Sequence, residues 1–276
     1  MADTIYLNAL KSILEVGERR DTRNGSTISC FGVSMSFDIT SRFPLLTTKH
    51  MAWNSIVTEL LWFISGTTNS KILEEQGNNI WKGNSSREYL DSIGLDLYPE
   101  GECGPIYGHQ WRNFNSNGID QLAMVIDMIK NNPTSRRIFM SAWNPSQQHL
   151  MCLPPCHVSY QFYVSNDDYL DCIMYQRSGD MFLGVPFNIA STALLVYIIA
   201  KLTKKKPRYM TIHIGDAHIY REHYLPVFDQ LNRRPLEAPT VEIDIPEDFT
   251  IDDIRKEHIK LNDYVHHERL KAPMKA

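Results

Sequence analysis

With 276 residues, the chain is long enough for one large domain or two small ones, and 43% hydrophobic against 22% charged residues fits a globular protein with a substantial core. The formal net charge of −4 gives no reason to expect a general nucleic-acid or membrane binder. Five cysteines, without regular spacing, argue against a disulfide framework and for a reducing, cytoplasmic compartment; Cys152 and Cys156 stand in C-x3-C spacing, but no second ligand pair follows, so no metal is expected.

The segment from Met1 to Leu7 carries an acidic residue and lacks the apolar core of a signal peptide. Ile5, Leu7, Leu10, Ile13 and Leu14 fall near helical spacing and predict an amphipathic helix over 3–17. Arg19 to Thr27 reads as a polar loop with a turn at Asn24-Gly25. Arg23, beside small hydroxyl residues, suits a phosphate; a solvated surface arginine is the other reading. Ile28 to Ile39 alternates as one long strand or a strand pair. Phe43 to His50, which includes Lys49, is a loop leading into a helix over 53–65. That helix is apolar around most of its circumference, so it should be buried. Glu59 lies within it, either on a face that reaches solvent or buried and then paired or used. Ile80-Trp81-Lys82 closes a short second helix. Gly101 to Arg112, which contains Tyr107, mixes glycines, a proline and aromatics with no packing pattern, the character of a functional loop. A helix follows over 119–130. Ser135-Arg136-Arg137 then leads into a strand over 138–143, where adjacent arginines point to opposite faces. They can meet a phosphate or a partner subunit, or form a plain surface pair.

Pro154-Pro155 fixes φ and removes two backbone donors, so it fits neither a helix interior nor a central strand. Val158 to Val164 alternates and is aromatic-rich, as a half-buried strand is. Cys156 therefore sits at a rigid entry to a strand. It reads as a small buried hydrophobe, or as a nucleophile if cations surround it. A second strand spans 169–175. Gln176 to Asn188 then leads into an apolar helix over 189–202, a run too short and too interrupted to span a bilayer. A strand, a polar loop and a helix N-terminus in that order make a good anion site, with Arg177 and Ser178 supplied by the loop. Asn188 either caps the helix or reads an imide edge, since it both donates and accepts. Lys204 to Arg208 is a basic loop. Thr211 to Ile214 is a strand, followed by His218 and Tyr220 on one face, and the tail from Tyr264 is polar.

Taken in order, Phe43-Pro-Leu-Leu-Thr-Thr-Lys49, Glu59-Leu-Leu-Trp-Phe63, Gly104-Pro-Ile-Tyr107-Gly, Ser135-Arg136-Arg137, Pro155-Cys156-His157, Gln176-Arg177-Ser178, Phe187-Asn188-Ile-Ala and Gly215-Asp216-Ala-His218-Ile-Tyr220 closely resemble the thymidylate synthase family, over nearly the whole chain. The resemblance implies a single catalytic domain over 1–276 of α+β class, with a large mixed sheet flanked by helices and lying at a homodimer interface. It implies transfer of the methylene and a hydride from 5,10-methylenetetrahydrofolate to dUMP, giving dTMP and dihydrofolate, with no metal, membrane or nucleic acid required. By resemblance Cys156 adds to C6 of uracil, which fits the need to divide one hard step into easier ones. Arg23, Gln176, Arg177 and Ser178 belong to the nucleotide site, the arginines and serine holding the phosphate, with Arg136 and Arg137 reaching it from the partner subunit. Arg177 also favours the thiolate. Asn188 reads the uracil edge, and His218 and Tyr220 bind the 3′-hydroxyl. Glu59 and Tyr107 move protons. Asp180 binds the pterin, Ile80, Trp81, Leu183 and Phe187 wall it, and Lys49, Gly184 and the tail residues Met274 and Ala276 complete the folate site.

Five departures from the family pattern stand out. The loop after Arg23 is one residue short, Lys82 replaces an aspartate, Glu102-Cys103 replaces Asp-Leu, Glu222 replaces an asparagine, and the tail ending Met274-Lys275-Ala276 is less apolar than usual. Several fall on the folate side, where looser closure would admit water and give 5-hydroxymethyl-dUMP, the product of a related dUMP hydroxymethylase. Related cytidylate hydroxymethylases typically carry an aspartate at the position of Asn188, so Asn188 implies uracil. An idle, nucleotide- or RNA-binding relative is a third alternative, which the intact cysteine and arginines disfavour.

Overall fold

The computed structural model describes residues 2–275. In chain order, α1 (Ala2–Val16) is followed by β1 (Glu18–Thr22), β2 (Gly25–Asp38), α2 (Trp53–Ser65), α3 (Lys71–Glu75) and α4 (Arg87–Ser92). Next come α5 (Tyr107–Arg112), α6 (Gln121–Asn131), β3 (Phe139–Ser141), β4 (His157–Val164) and β5 (Tyr169–Asp180). The last third holds α7 (Gly184–Leu202), β6 (Lys206–Tyr220), α8 (Tyr224–Leu231), β7 (Thr240–Ile243) and β8 (Ile259–Asn262).

Six strands form one mixed sheet in the order β1-β2-β6-β5-β4-β3, and β7 pairs with β8 separately. All neighbours in the large sheet are antiparallel except β5 and β6. That parallel pair needs a crossover, which α7 supplies. The fold is thus the expected α+β arrangement of a large mixed sheet flanked by helices.

One sheet face is the core. Leu170, Cys172 and Met174 of β5 and Met210, Ile212 and Ile214 of β6 are buried at alternate positions. The same pleat sends Ile173 and Tyr175 to the other face. There the aligned Phe139, Gln161, Ile173 and Thr211 run across the strands, with Tyr163 and Tyr209 beside them, and the apolar members of this face are exposed. α7 is apolar around its whole circumference and mostly buried. At 19 residues it is long and apolar enough to cross a bilayer, longer than the predicted 189–202, but in this fold it is the central core helix.

Local details depart from the sequence reading where neighbours override local pattern. Arg19 to Thr22 is strand rather than loop: β1 is exposed at every position and is held by a hairpin ladder to β2. The short second helix ends at Glu75, and Ile80 to Lys82 lie in turns. Arg136 and Arg137 precede β3 in an exposed turn, so the opposite-face argument does not apply to them. Arg177 and Ser178 belong to β5 itself, Lys206 to Arg208 to β6. Asn188 lies inside α7, not at its cap, because the helix begins at Gly184.

Candidate active site

Cys156 is the last residue before β4, and three separate contacts fix it. Its N–H donates to the Tyr107 hydroxyl at 2.7 Å, and its carbonyl accepts the Arg177 N–H at 2.9 Å. The Arg177 side chain donates to the carbonyls of Pro155 and Pro154, each at 2.8 Å, and its Nη2 lies 3.7 Å from the thiol Sγ. Prolines leave their carbonyls free to accept while holding φ, so this guanidinium fastens a turn that is already stiff. Tyr107 reaches Cys156 because α5 packs hard on α2. A Cβ on Gly108 would stand 2.3 Å from the Phe63 carbonyl oxygen, so only glycine allows that approach. Burial pushes the Cys156 thiol up, while Arg177 and the Tyr107 hydroxyl draw it down without overcoming the burial. Arg177 thus acts in the expected direction but does not by itself yield a thiolate.

Cys156 opens into a cavity of about 340 Å³ lined also by Arg23, Arg177, Ser178, Asp180, His218 and Tyr220. These predicted residues come from the β1–β2 turn, β5 and β6. The His218 and Tyr220 rings meet edge to face at 5.1 Å, sharing one side of β6 as expected. Lys275 and Met274 of the tail close one side. The sequence reading missed Asn84, Leu153, Asp216, Thr22, Asn24 and Thr27, which also line the cavity. Asn24 carries only a turn signal and Asp216 only a place in a motif; nothing local distinguishes Asn84. The Nδ2 of Asn84 is buried without a hydrogen-bond partner among the described residues, as is the Oε1 of Gln176, so a polar ligand would satisfy groups that the chain leaves open.

Behind Cys156, Gln176 donates to Asn188 Oδ1 and to the Ser178 carbonyl, both at 2.9 Å. Burial holds His157 neutral, with a pKa lowered to about 4 against an opposing hydrogen bond to Asn188. The Asn188 amide is therefore oriented by two neighbours rather than by a helix end. Glu59 is buried, not solvent-facing. Burial raises its pKa to about 7, and the opposing hydrogen bond from Trp81 Nε1, 2.8 Å, keeps part of its acidity. Trp81 also packs edge-on to Tyr107 with centroids 5.9 Å apart, which joins Glu59, Trp81, Tyr107 and Cys156 in one contiguous group.

Asp180 ends β5. Its Oδ1 accepts the Phe182 N–H at 2.9 Å and the Leu183 N–H at 3.3 Å, and lies 3.4 Å from His223 Nδ1. Burial alone would raise its pKa, but His223 and these amides outweigh it and keep the group acidic. Conversely, burial disfavours a charged His223 and Asp180 more than compensates. Lys49 donates to the Phe182 carbonyl and stands 3.8 Å over the Phe182 ring; burial lowers its pKa to about 7, against the pull of Asp180. Lys49, Leu183 and Phe187 line a second cleft of about 330 Å³ with Arg269 to Ala272 of the tail. Gly184 leaves room between Asp180 and Asn188. Ile80 packs against the core and Trp81 within it. Ala276 lies outside the described residues.

Arg136 and Arg137 do not line the Cys156 cavity; Arg136 lines a cleft of about 580 Å³ with Tyr163, Ile173 and Tyr209 on the exposed sheet face. Among the described residues no group of three His, Cys, Asp or Glu is placed to hold a metal ion. A nucleophile, a cation beside it, an acid poised near neutrality and an oriented amide make this a site for covalent addition to a polar ring with proton transfers.

Comparisons with known proteins agree with this geometry. The thymidylate synthase family model matches residues 4–276. A bifunctional dihydrofolate reductase-thymidylate synthase 2 of Arabidopsis thaliana is 49% identical over 282 residues, covering 98% of this chain and 50% of the relative. Thymidylate synthase of Homo sapiens is 47% identical over 281 residues, 98% of this chain and 89% of the relative, and that of Human herpesvirus 8 type P (isolate GK18) is 46% identical over 285 residues, 98% and 83%. The chain spans about half the length of the bifunctional relatives it matches. A family match across nearly every residue, with Cys156, Arg177, Ser178, His218 and Tyr220 of the shared motifs gathered at one cavity, means that the chain belongs to the thymidylate synthase family.

Proposed function

We propose that the chain catalyses the reductive methylation of dUMP to dTMP as a single catalytic domain. 5,10-Methylenetetrahydrofolate supplies both the one-carbon unit and the hydride. The observation that carries this reading is the Cys156 thiol, held against Arg177 at the floor of a cavity that also presents Arg23, Ser178, His218 and Tyr220. Arg23, Arg177 and Ser178 bind the phosphate. His218 and Tyr220 take the 3′-hydroxyl, which disfavours ribonucleotides. Cys156 loses its proton to water and its sulfur bonds to C6, the displaced C5–C6 electron pair passing to an O4 enolate that makes C5 nucleophilic. Asn188, set by Gln176, pairs with the O4 and N3 edge of uracil. Glu59, about half protonated near neutral pH, supplies and removes protons at O4, with Tyr107 acting at C5.

On the folate side, Asp180 accepts from the pterin and Trp81, Ile80, Leu183 and Phe187 exclude water from its ring. Lys49 and Gly184 flank it, and Met274 covers it. Asn84, whose Nδ2 has no hydrogen-bond partner among the described residues, suits a polar ring here. Two copies of the chain form a homodimer across the exposed sheet face, so that Arg136 and Arg137 reach the partner's phosphate. The reaction runs in the cytoplasm, a placement supported by five cysteines that are all free thiols in the fold.

Hydroxymethylation of dUMP, the alternative from the same nucleophile, is not favoured. Two relatives covered over most of their own length carry the synthase name, and two of the departures that suggested loose closure, Glu222 and Lys275, pair with each other. The test is product analysis with dUMP and 5,10-methylenetetrahydrofolate. The nucleotide should gain the mass of a methyl group, with equimolar dihydrofolate seen by ultraviolet absorbance. 5-Hydroxymethyl-dUMP with regenerated tetrahydrofolate would overturn the reading. Cys156→Ala should still bind dUMP while turnover falls on the order of 10⁴-fold or more.

A further inference from the structure

We propose that Glu222 and Lys275 form an electrostatic latch that positions the tail, and with it Met274, at the mouth of the Cys156 cavity. Both residues depart from the family pattern, and taken singly each argues for a looser tail. In the fold they meet: Lys275 Nζ and Glu222 Oε1 are 2.5 Å apart, with the Lys275 side chain 24% exposed. Both head groups stand over the β1–β2 turn, each 4.0 Å from where a Cβ on Gly25 would be. The turn is one residue shorter than the family pattern, so the pair occupies space beside a third departure.

The latch has a second point of hold. His223, next to Glu222, donates from Nε2 to the Pro273 carbonyl at 2.8 Å. Two consecutive residues therefore grip positions 275 and 273, on either side of Met274. Met274 lines the cavity mouth and is 65% exposed, an apolar side chain that a molecule in the cavity would cover. The upstream end of the tail is fixed independently. His267 N–H donates to the Thr47 carbonyl at 2.8 Å, and Arg233 donates to the Glu268 carbonyl at 2.7 Å. Between these anchors, Arg269 to Ala272 wall the second cleft opposite Lys49, Leu183 and Phe187. Releasing the Glu222 end would free one side of that wall, while the other end stays attached. Asp180 contacts His223 on its other nitrogen, so the polar group proposed for the pterin and the tail's backbone share one imidazole.

Glu222 and Lys275 are thus positioning residues: they act through the tail, not on reacting atoms. The proposal rests on the folate-side reading above, and its primary test does not need turnover. Amide exchange of residues 269–275 is followed by mass spectrometry on the full chain without ligands. Glu222→Gln and Lys275→Met should each speed exchange there about threefold, the size expected when one partly exposed ion pair is lost. The double variant should be no faster than either single one, and the charge-swapped pair Glu222→Lys with Lys275→Glu should recover protection. Molar salt should speed the wild type toward the single variants and leave those unchanged. Unchanged exchange in the single variants, additive effects in the double, or a swap no better than the singles would each overturn the latch. A parallel assay reads KM for the folate and the share of 5-hydroxymethyl product, both expected to rise in the single variants and return in the swap. Exchange behaving as expected without any dTMP formed would leave the latch standing and remove the proposed reaction; dTMP formed with exchange unaffected would remove the latch alone.

Discussion

A carboxyl group inside an aromatic cluster brings a titration into the neutral range. Glu59 is enclosed on α2, touches Trp81 through one hydrogen bond, and titrates at about 7 against an ordinary value of 4.5. Its native pKa is raised, so between about pH 4.5 and 7 the folded state holds the proton and the unfolded chain has released it. Stability from this group is fully present below pH 4.5 and is lost as pH rises through 7. Lys49 slopes the other way, because its pKa is lowered to about 7 from 10.5: its penalty is largest in acid and is relieved as pH rises above 7. Glu59→Gln keeps the shape and the hydrogen bond but cannot ionise. Its stability relative to wild type should therefore grow by up to about 3 kcal/mol between pH 5 and 8, read as diverging melting temperatures. Turnover should fall roughly 10²- to 10³-fold over the same range. Parallel melting curves across this range would mean that Glu59 is not the buried titrating acid.

At the scale of elements, the site depends on how α1 holds a loop far from it in sequence. Asp3, in the first turn of α1, is buried and accepts from the Thr47 and Thr48 N–H groups and from both hydroxyls, at 2.7 to 3.1 Å. The next residue is Lys49, whose ammonium reaches the Phe182 carbonyl. One carboxylate thus sets the entry of a cationic side chain to the second cleft. Asp3→Ala leaves four donors without their acceptor. We expect a loss of about 3 kcal/mol, a fall in melting temperature of roughly 5–10 °C, and a weakened KM for the folate with KM for dUMP nearly unchanged. Equal weakening of both would show a general loosening rather than a local one. The sequence pattern carried α2, α6, β4 and the core of α7, because their apolar spacing is local. It did not carry β1, which is exposed at every position and exists only through its ladder to β2. Nor did it carry α5, hidden among glycines that look like a loop until Gly108 is seen against Phe63. The site followed the same division. Cys156, Arg177 and Asn188 are legible from their motifs, whereas Asn84 and the Glu222–Lys275 pair depend on contacts between distant segments.

At the scale of the whole molecule, one broad face is unaccounted for by the single chain. Phe139, Ile173, Tyr175, Tyr163 and Tyr209 leave the large sheet on its outer side, all exposed, whereas its inner side is covered by α1 and α7. Contiguous aromatic and aliphatic surface on that scale marks an interaction site. Arg136 borders this face and does not line the chain's own Cys156 cavity. The proposed two-fold dimer across this face would bring each copy's arginines to the other by symmetry. The dimer is tested by mixing two inactive variants. Arg137→Ala keeps Cys156 and lacks the donated cation; Cys156→Ala keeps the arginine and lacks the nucleophile. In a mixed dimer, the subunit with the intact cysteine receives an intact arginine from its partner, and the opposite site has neither. Equal mixing with free exchange makes about half the dimers mixed, each with one restored site, so activity should return to about a quarter of wild type per site. KM for dUMP at the restored sites should match wild type, because their phosphate contacts are complete. No recovery after exchange has been verified by mass would mean that each chain builds its phosphate site alone, and the arginines before β3 would then need another role.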